Sequence, residues 1–157
     1  MIKVDVLVND KAWKKHIKKP SNYLNKKLKK AEKKISILKK NKLNFTLLLS
    51  GANKIKRLNK KFRKKNKFTD ILSFPFYEKK TLRKLIRKKK TSIYLGDIII
   101  NLNEIVKQSK KQNLSFPFFF DKIWIHGLTH LLGYRHKSNR DYSIMKKLEN
   151  KIIKSIQ

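Results

Sequence analysis

The sequence predicts one α+β domain over residues 1–157, a small mixed sheet of about four strands packed with about five helices, with a metal site on a central apolar helix. Three observations carry this expectation. Four short stretches rich in Ile, Val, Leu and Phe have the length of strands. Longer stretches between them repeat apolar residues at helical spacing. No internal repeat and no Gly/Ser linker divides the chain, and 157 residues suit one core.

Ile2, Val4, Val6 and Val8 alternate with Lys3, Asp5 and Leu7, so residues 2–8 read as the first strand. Asn9-Asp10 offers a cap, and a lysine-rich helix covers much of 11–39, with Pro20-Ser21 dividing it into two pieces. Leu43 to Leu49 is the second strand, closed by Ser50-Gly51. A short helix follows from Ala52 to about Lys65, with Ile55, Leu58 and Phe62 on one side. Ile71 to Phe76 is the third strand, and Pro75 near its end suits a sheet edge. Residues 79–90 carry eight Lys or Arg and read as an exposed basic loop or frayed helix, an insertion with no core role. Ile93 to Ile100 is the fourth strand. Helices are expected from Leu102 to Gln112, from Phe118 to Leu132 behind Pro117, and from Asp141 to Ile156. Phe118, Phe119, Phe120 and Trp124 belong to the most apolar of these, where core packing is their expected role.

The chain carries 43 Lys and Arg against 10 Asp and Glu, a net charge of +33. Such a field attracts polyanions and speeds their encounter. Of the cations 37 are Lys and 6 are Arg, and Ile, Asn and Phe are also abundant, as an AT-rich genome would dictate whatever the function. The charge therefore favours an RNA partner without establishing one. There is no cysteine, which excludes disulfides and thiolate metal sites. No apolar run reaches the ~18 residues of a membrane span. The N-terminus reads as a strand and not as a signal peptide, so the expectation is a cytoplasmic protein with no membrane partner.

The chemistry concentrates in His126-Gly127-Leu128-Thr129-His130-Leu131-Leu132-Gly133-Tyr134-Arg135-His136, which holds three of the four histidines of the chain. Helical positions i and i+4 share a face, so His126 and His130 can present two imidazoles to one ion. Gly133 can adopt the left-handed conformation that ends a helix, letting the chain bring His136 back to the same ion. The fourth, His16, sits among lysines and is expected to be exposed. With no thiolate available, three imidazoles and an open position suit one zinc ion, which generates a hydroxide nucleophile at neutral pH. A structural zinc would instead need a fourth protein ligand, and the nearest carboxylates are Asp121 and Asp141. The spacing equals that of metzincin peptidases, H-E-x-x-H-x-x-G-x-x-H, but the general-base Glu is replaced by Gly127, which cannot take a proton from water.

The same stretch resembles the signature of the YbeY family, H-G-x-L-H-L-x-G-Y-D-H, bacterial rRNA maturation factors described as single-strand-specific endoribonucleases. Further segments agree in order: Leu58-Asn59-Lys60-Lys61-Phe62-Arg63 with L-N-x-x-[YF]-R, Thr69-Asp70-Ile71-Leu72-Ser73-Phe74-Pro75 with T-D-V-L-S-F-P, Leu95-Gly96-Asp97-Ile98 with L-G-D-I, and Met145 with Glu149 in the last helix. The resemblance implies one zinc held by His126, His130 and His136, a working arginine at Arg63, and cleavage of single-stranded RNA in ribosomal RNA (16S 3′ end) maturation and ribosome quality control, with ribosomal RNA and the small ribosomal subunit as partners. A guanidinium at Arg63 can fork onto phosphate oxygens. Ser73 and Asp97 are candidates for lining the cleft or for a strand-end turn. Two positions depart from the signature: Thr129 stands for Leu and Arg135 for Asp. Thr129 lies off the expected ligand face. Arg135 removes a carboxylate beside the metal and adds a cation suited to gripping phosphate. That swap keeps a second reading in view, a non-catalytic zinc-containing RNA- or ribosome-binding assembly factor. A peptidase is a third, resting on spacing alone.

Overall fold

The computed structural model describes residues 1–39, 41–88 and 92–157. Its strands are β1 (Ile2–Val8), β2 (Leu43–Ser50), β3 (Ile71–Pro75) and β4 (Ile93–Asn101). They form one mixed sheet in the order β1-β2-β4-β3, with β1·β2 and β2·β4 parallel and β3·β4 antiparallel. The alternation that marks these strands in the sequence sets their faces. Leu43, Phe45, Leu47 and Leu49 of β2 all point into the main core. A bulge interrupts the β2·β4 register between Asn44 and Thr46, where Leu95 and Gly96 face Phe45 alone. Gly96 has φ +127, and a Cβ there would lie 2.1 Å from the Phe74 carbonyl oxygen, so only glycine fits. Pro75 occupies an edge strand, as its missing N–H requires.

Seven α-helices surround the sheet among the described residues: α1 (Pro20–Lys34), α2 (Ser36–Lys39), α3 (Ala52–Arg63), α4 (Lys79–Arg87), α5 (Leu102–Lys111), α6 (Phe116–Leu131) and α7 (Asn139–Ile156). Pro20 opens α1 at its first position rather than breaking a longer helix, and a short 3₁₀ turn at Lys11–Lys15 precedes it. The main core lies on one side of the sheet, where α1, α6 and α7 bury Leu24, Leu28, Trp124, Leu128 and Ile152. The other side carries α3 and a small cluster of Ile55, Leu72 and Ile99.

One expectation is corrected. Of the loop and the helix left open for this segment, residues 79–87 form a helix, and it has a core role: Leu82, 2% exposed, belongs to the main core with Leu85 and Ile86 packed against it. Leu82, Leu85 and Ile86 stand at helical i, i+3, i+4 spacing, an apolar stripe hidden in the sequence by the eight surrounding cations. Burying such a leucine contributes about 2 kcal/mol. Residues 89 and 90 of that segment lie outside the described residues. Among the described residues no helix is long and apolar enough to cross a membrane.

Candidate metal centre

Helix α6 is buried along most of its length, which fixes its rotation over the sheet. Gly127 faces β3 and β4 so closely that a Cβ would stand 2.8 Å from Ile71 Cδ1 and 3.0 Å from Ile98 Cδ1. The position that holds a general-base Glu in the metzincin spacing is thus pressed against the sheet, with no room for a carboxylate and no route to the ligand face. Asp121 holds the far end of the helix. It accepts hydrogen bonds from Tyr23 Oη (3.0 Å) and Trp124 Nε1 (2.9 Å) and pairs with Lys27 of α1. Phe119, Phe120 and Trp124 are buried, as core packing requires.

The helix ends in a Schellman motif. The Gly133 N–H donates to the His130 carbonyl (2.9 Å), the Tyr134 N–H donates to the Thr129 carbonyl (3.1 Å), and Gly133 takes φ +86. Thr129 itself is buried, its hydroxyl donating to the His126 carbonyl at 2.7 Å. The turn reverses the chain and returns His136. One ligand nitrogen from each of His126, His130 and His136 lies within 4.8 Å of the others. The ring centroids stand 4.6, 5.1 and 5.9 Å apart. His126 and His130 are half-buried and His136 is exposed, so the group opens to solvent on one side.

The partners of the outer ring nitrogens decide what the inner ones can do. His126 Nδ1 lies 2.7 Å from Glu149 Oε1 and His130 Nδ1 lies 3.1 Å from the Tyr134 carbonyl oxygen. Both partners are acceptors, so each Nδ1 carries the proton and each Nε2 presents a lone pair. The two Nε2 atoms are 3.1 Å apart. Lone pairs at that distance repel unless a cation lies between them. Ligand nitrogens ~2.0–2.1 Å from a tetrahedral zinc sit roughly 3.3 Å from one another. The donor set therefore fits a divalent ion. Burial, the neighbouring His126 and His136, and Arg135 together lower the His130 pKa to about 4, against the pull of the Tyr134 carbonyl, which keeps this imidazole neutral as a ligand must be.

Glu149 is the functional residue that motif reading left without a role. It is 6% exposed on α7. Burial pushes its carboxyl up, but hydrogen bonds from His126 and from Lys146 (3.1 Å) outweigh this and hold it below the usual range. A carboxylate behind a ligand histidine fixes its tautomer and raises its basicity. A signal was present in the sequence: Glu149 falls on the buried stripe Met145, Glu149, Ile152, where an apolar residue is the norm. The carboxylate lost at Arg135 is thus not the only one beside the histidines. Neither Asp121 nor Asp141 joins the histidine group, and no carboxylate closes it among the described residues.

A cleft of about 470 Å³ opens beside His126, walled by Phe68, Thr69, Gln108, Lys122, Lys146 and Glu149 among others. Arg63, the last residue of α3, is exposed and does not line this cleft; the chain it starts reaches the wall five residues later at Phe68. Arg135 is exposed next to His136. Ser73 and Asp97 sit within strands and not at their ends, and neither lines the cleft. Asp97 faces the other side of the sheet and accepts from Tyr94 Oη at 2.6 Å. His16 is exposed and stacks on Phe116, away from the other histidines.

The family model described as Endoribonuclease YbeY matches residues 7–157. An Endoribonuclease YbeY of Pelagibacter ubique is 43% identical over 157 residues, covering 100% of this chain and 97% of the relative. One from Buchnera aphidicola is 44% identical over 123 residues, covering 78% and 74%. A solution structure of a protein from Thermotoga maritima shares the fold, with a TM-score of 0.62 at 22% identity over 99% of this chain and 89% of that one. A family match from residue 7 to the last residue, with a relative alignable end to end, places this chain in the Endoribonuclease YbeY family.

Proposed function

We propose that the chain acts as one zinc-dependent hydrolase domain that cuts single-stranded RNA in the cytoplasm, maturing ribosomal RNA at the 16S 3′ end and serving ribosome quality control on the small subunit. The single observation that carries the reading is the convergence of two Nε2 lone pairs 3.1 Å apart, with His136 completing the group and one side open. Zinc suits three imidazoles without a thiolate. A bound ion would supply Lewis acidity at the scissile phosphate and a nucleophile at neutral pH. Glu149 and the Tyr134 carbonyl hold His126 and His130 in the tautomer and orientation a ligand needs. Lys122 and Lys146 offer ammonium groups to phosphate within the cleft. Arg135, beside His136, and Arg63, at the end of α3, have the forked donors that grip phosphate oxygens of a bound strand. A cleft of about 470 Å³ falls in the range of small-ligand pockets, which suits an unstacked nucleotide better than a stiff duplex.

His130→Ala should remove bound metal and cleavage of single-stranded RNA together, read as metal per chain and as a cleavage time course beside a His126→Ala control. Undiminished cleavage by the metal-free variant would end the reading. One observation favours a second reading: Arg135, a cation, stands where the family signature has an acid beside the third histidine. A non-catalytic assembly factor predicts salt-dependent RNA or ribosome binding by the metal-loaded chain with no products.

A further inference from the structure

The segment from α3 through β3 carries three large exposed aromatic side chains: Phe62 at 57%, Phe68 at 51% and Phe76 at 65% exposure. Apolar residues scattered singly on a surface need no explanation, but three rings on one strip do. Each is braced. Phe62 packs edge-on against Phe74 at 5.3 Å and Phe76 against Tyr94 at 5.7 Å. The Lys61 ammonium lies 5.3 Å from the Phe62 centroid, and that of Lys56 lies 4.7 Å from the Phe68 centroid. Phe76 follows β3 directly, and the Tyr94 ring it packs on donates its hydroxyl to Asp97 (2.6 Å), which lines one hollow together with Phe62 and Phe74. The loop after α3 is tied back to the helix by Asn59, whose Nδ2 donates to the Lys67 carbonyl (2.9 Å) and whose own carbonyl accepts from the Lys65 N–H (3.3 Å). From Lys54 to Lys65 there are eight cations and no acid. An apolar hollow of about 380 Å³ opens between Leu58, Phe62, Phe74 and Ile99, with Asp97 at its side. At the other end of the strip, Phe68 is part of the wall of the cleft that holds His126.

We propose that this strip is a stacking platform for single-stranded RNA, holding the unpaired bases that flank the nucleotide at the metal centre. Single strands without sequence preference are held by aromatic faces for the bases and cations for the backbone, and this strip sets an ammonium beside two of its three rings. Eight uncompensated cations select a polyanion over an apolar protein segment. The hollow beside Phe62 takes one base, with the Asp97 carboxylate available to its exocyclic donors. The platform rests on the RNA reading given above and goes beyond it in naming where the flanking strand lies.

The test is the affinity of the metal-loaded full chain for labelled RNA of 2 to about 12 nucleotides across a salt series, by fluorescence anisotropy. Affinity should grow with length for the parent. Phe62→Ala, Phe68→Ala and Phe76→Ala should each weaken binding of the longest RNA about 5- to 100-fold, with metal content and salt slope unchanged. Lys56→Ala and Lys61→Ala should make the slope of log affinity against log salt shallower by about one each. Phe68→Leu and Phe76→Leu keep an apolar side chain without a ring face, and should bind as poorly as the alanine variants. If the Leu variants bind as the parent does while the Ala variants do not, stacking is overturned in favour of a simple apolar contact of the kind a protein segment makes. If all Phe variants match a parent that binds and cuts RNA, the platform is overturned and the nuclease reading stands. A metal-loaded parent that neither binds nor cuts RNA of any length overturns both.

Discussion

Helices α6 and α3 cover opposite sides of the same sheet on opposite terms. In α6, nine of sixteen residues are buried, and the helix is held by the sheet at Gly127, by α1 through Asp121 and by α7 through Glu149. In α3, two of twelve residues are buried, and the exposed surface is mostly cationic with Phe62 at its end. The first arrangement holds the Nε2 atoms of His126 and His130 3.1 Å apart, close to the spacing that metal ligands demand. The second places charge and ring faces over a wide strip, as a flexible polyanion demands. Burial fixes geometry; exposure projects a field. Substitutions should therefore have steep local effects on α6 and shallow distributed effects on α3.

The sharpest way to break that contrast is Gly127→Glu, which restores the metzincin residue. It forces a carboxylate against Ile71 and Ile98 and should cost about 3 kcal/mol or more, read by denaturant unfolding, with no peptidase activity gained. A well-folded Gly127→Glu protein would mean that α6 is free to rotate. Next comes Glu149→Ala, which should lower metal affinity about 10- to 100-fold in a chelator competition, with Glu149→Gln recovering part because its amide oxygen still accepts from His126 Nδ1. Equal affinity in all three would show that the histidines need no support from α7. Gly133→Ala places a side chain at φ +86 with Lys79 Cγ 3.3 Å away and should cost roughly 1 kcal/mol, with weaker metal retention because the same turn returns His136. The smallest effect belongs to α3. Lys60→Ala should change stability by less than about 0.5 kcal/mol and leave metal content unchanged. A large stability loss there would erase the distinction between the two helices.

Much of the centre is legible in the residues themselves. The i, i+4 pair His126 and His130, the glycine stop at Gly133 and the return of His136 form a local motif, and local motifs depend on helical geometry alone. The four strands, the edge position of β3 and the burial of Phe119, Phe120 and Trp124 followed from alternation, Pro75 and apolar density. What escaped was non-local or masked. The core role of the helix at Lys79–Arg87 was hidden because its cations swamp the three apolar residues that bury it. Glu149 went without a role because its partner lies 23 residues away on another helix. Arg63 is exposed at the end of α3 and does not line the cleft, which its place in a short motif could not show.

Spacing and composition alone suffice for the grouping of His126, His130 and His136, the mixed α+β class and the cationic field, since each depends on local geometry or on a sum over residues. The packed fold is needed to say which nitrogens of His126 and His130 face each other, which carboxylate stands behind His126, and where the exposed rings gather. Those depend on how α6 seats against α7 and the sheet, and that seating is set by packing between residues far apart in the chain.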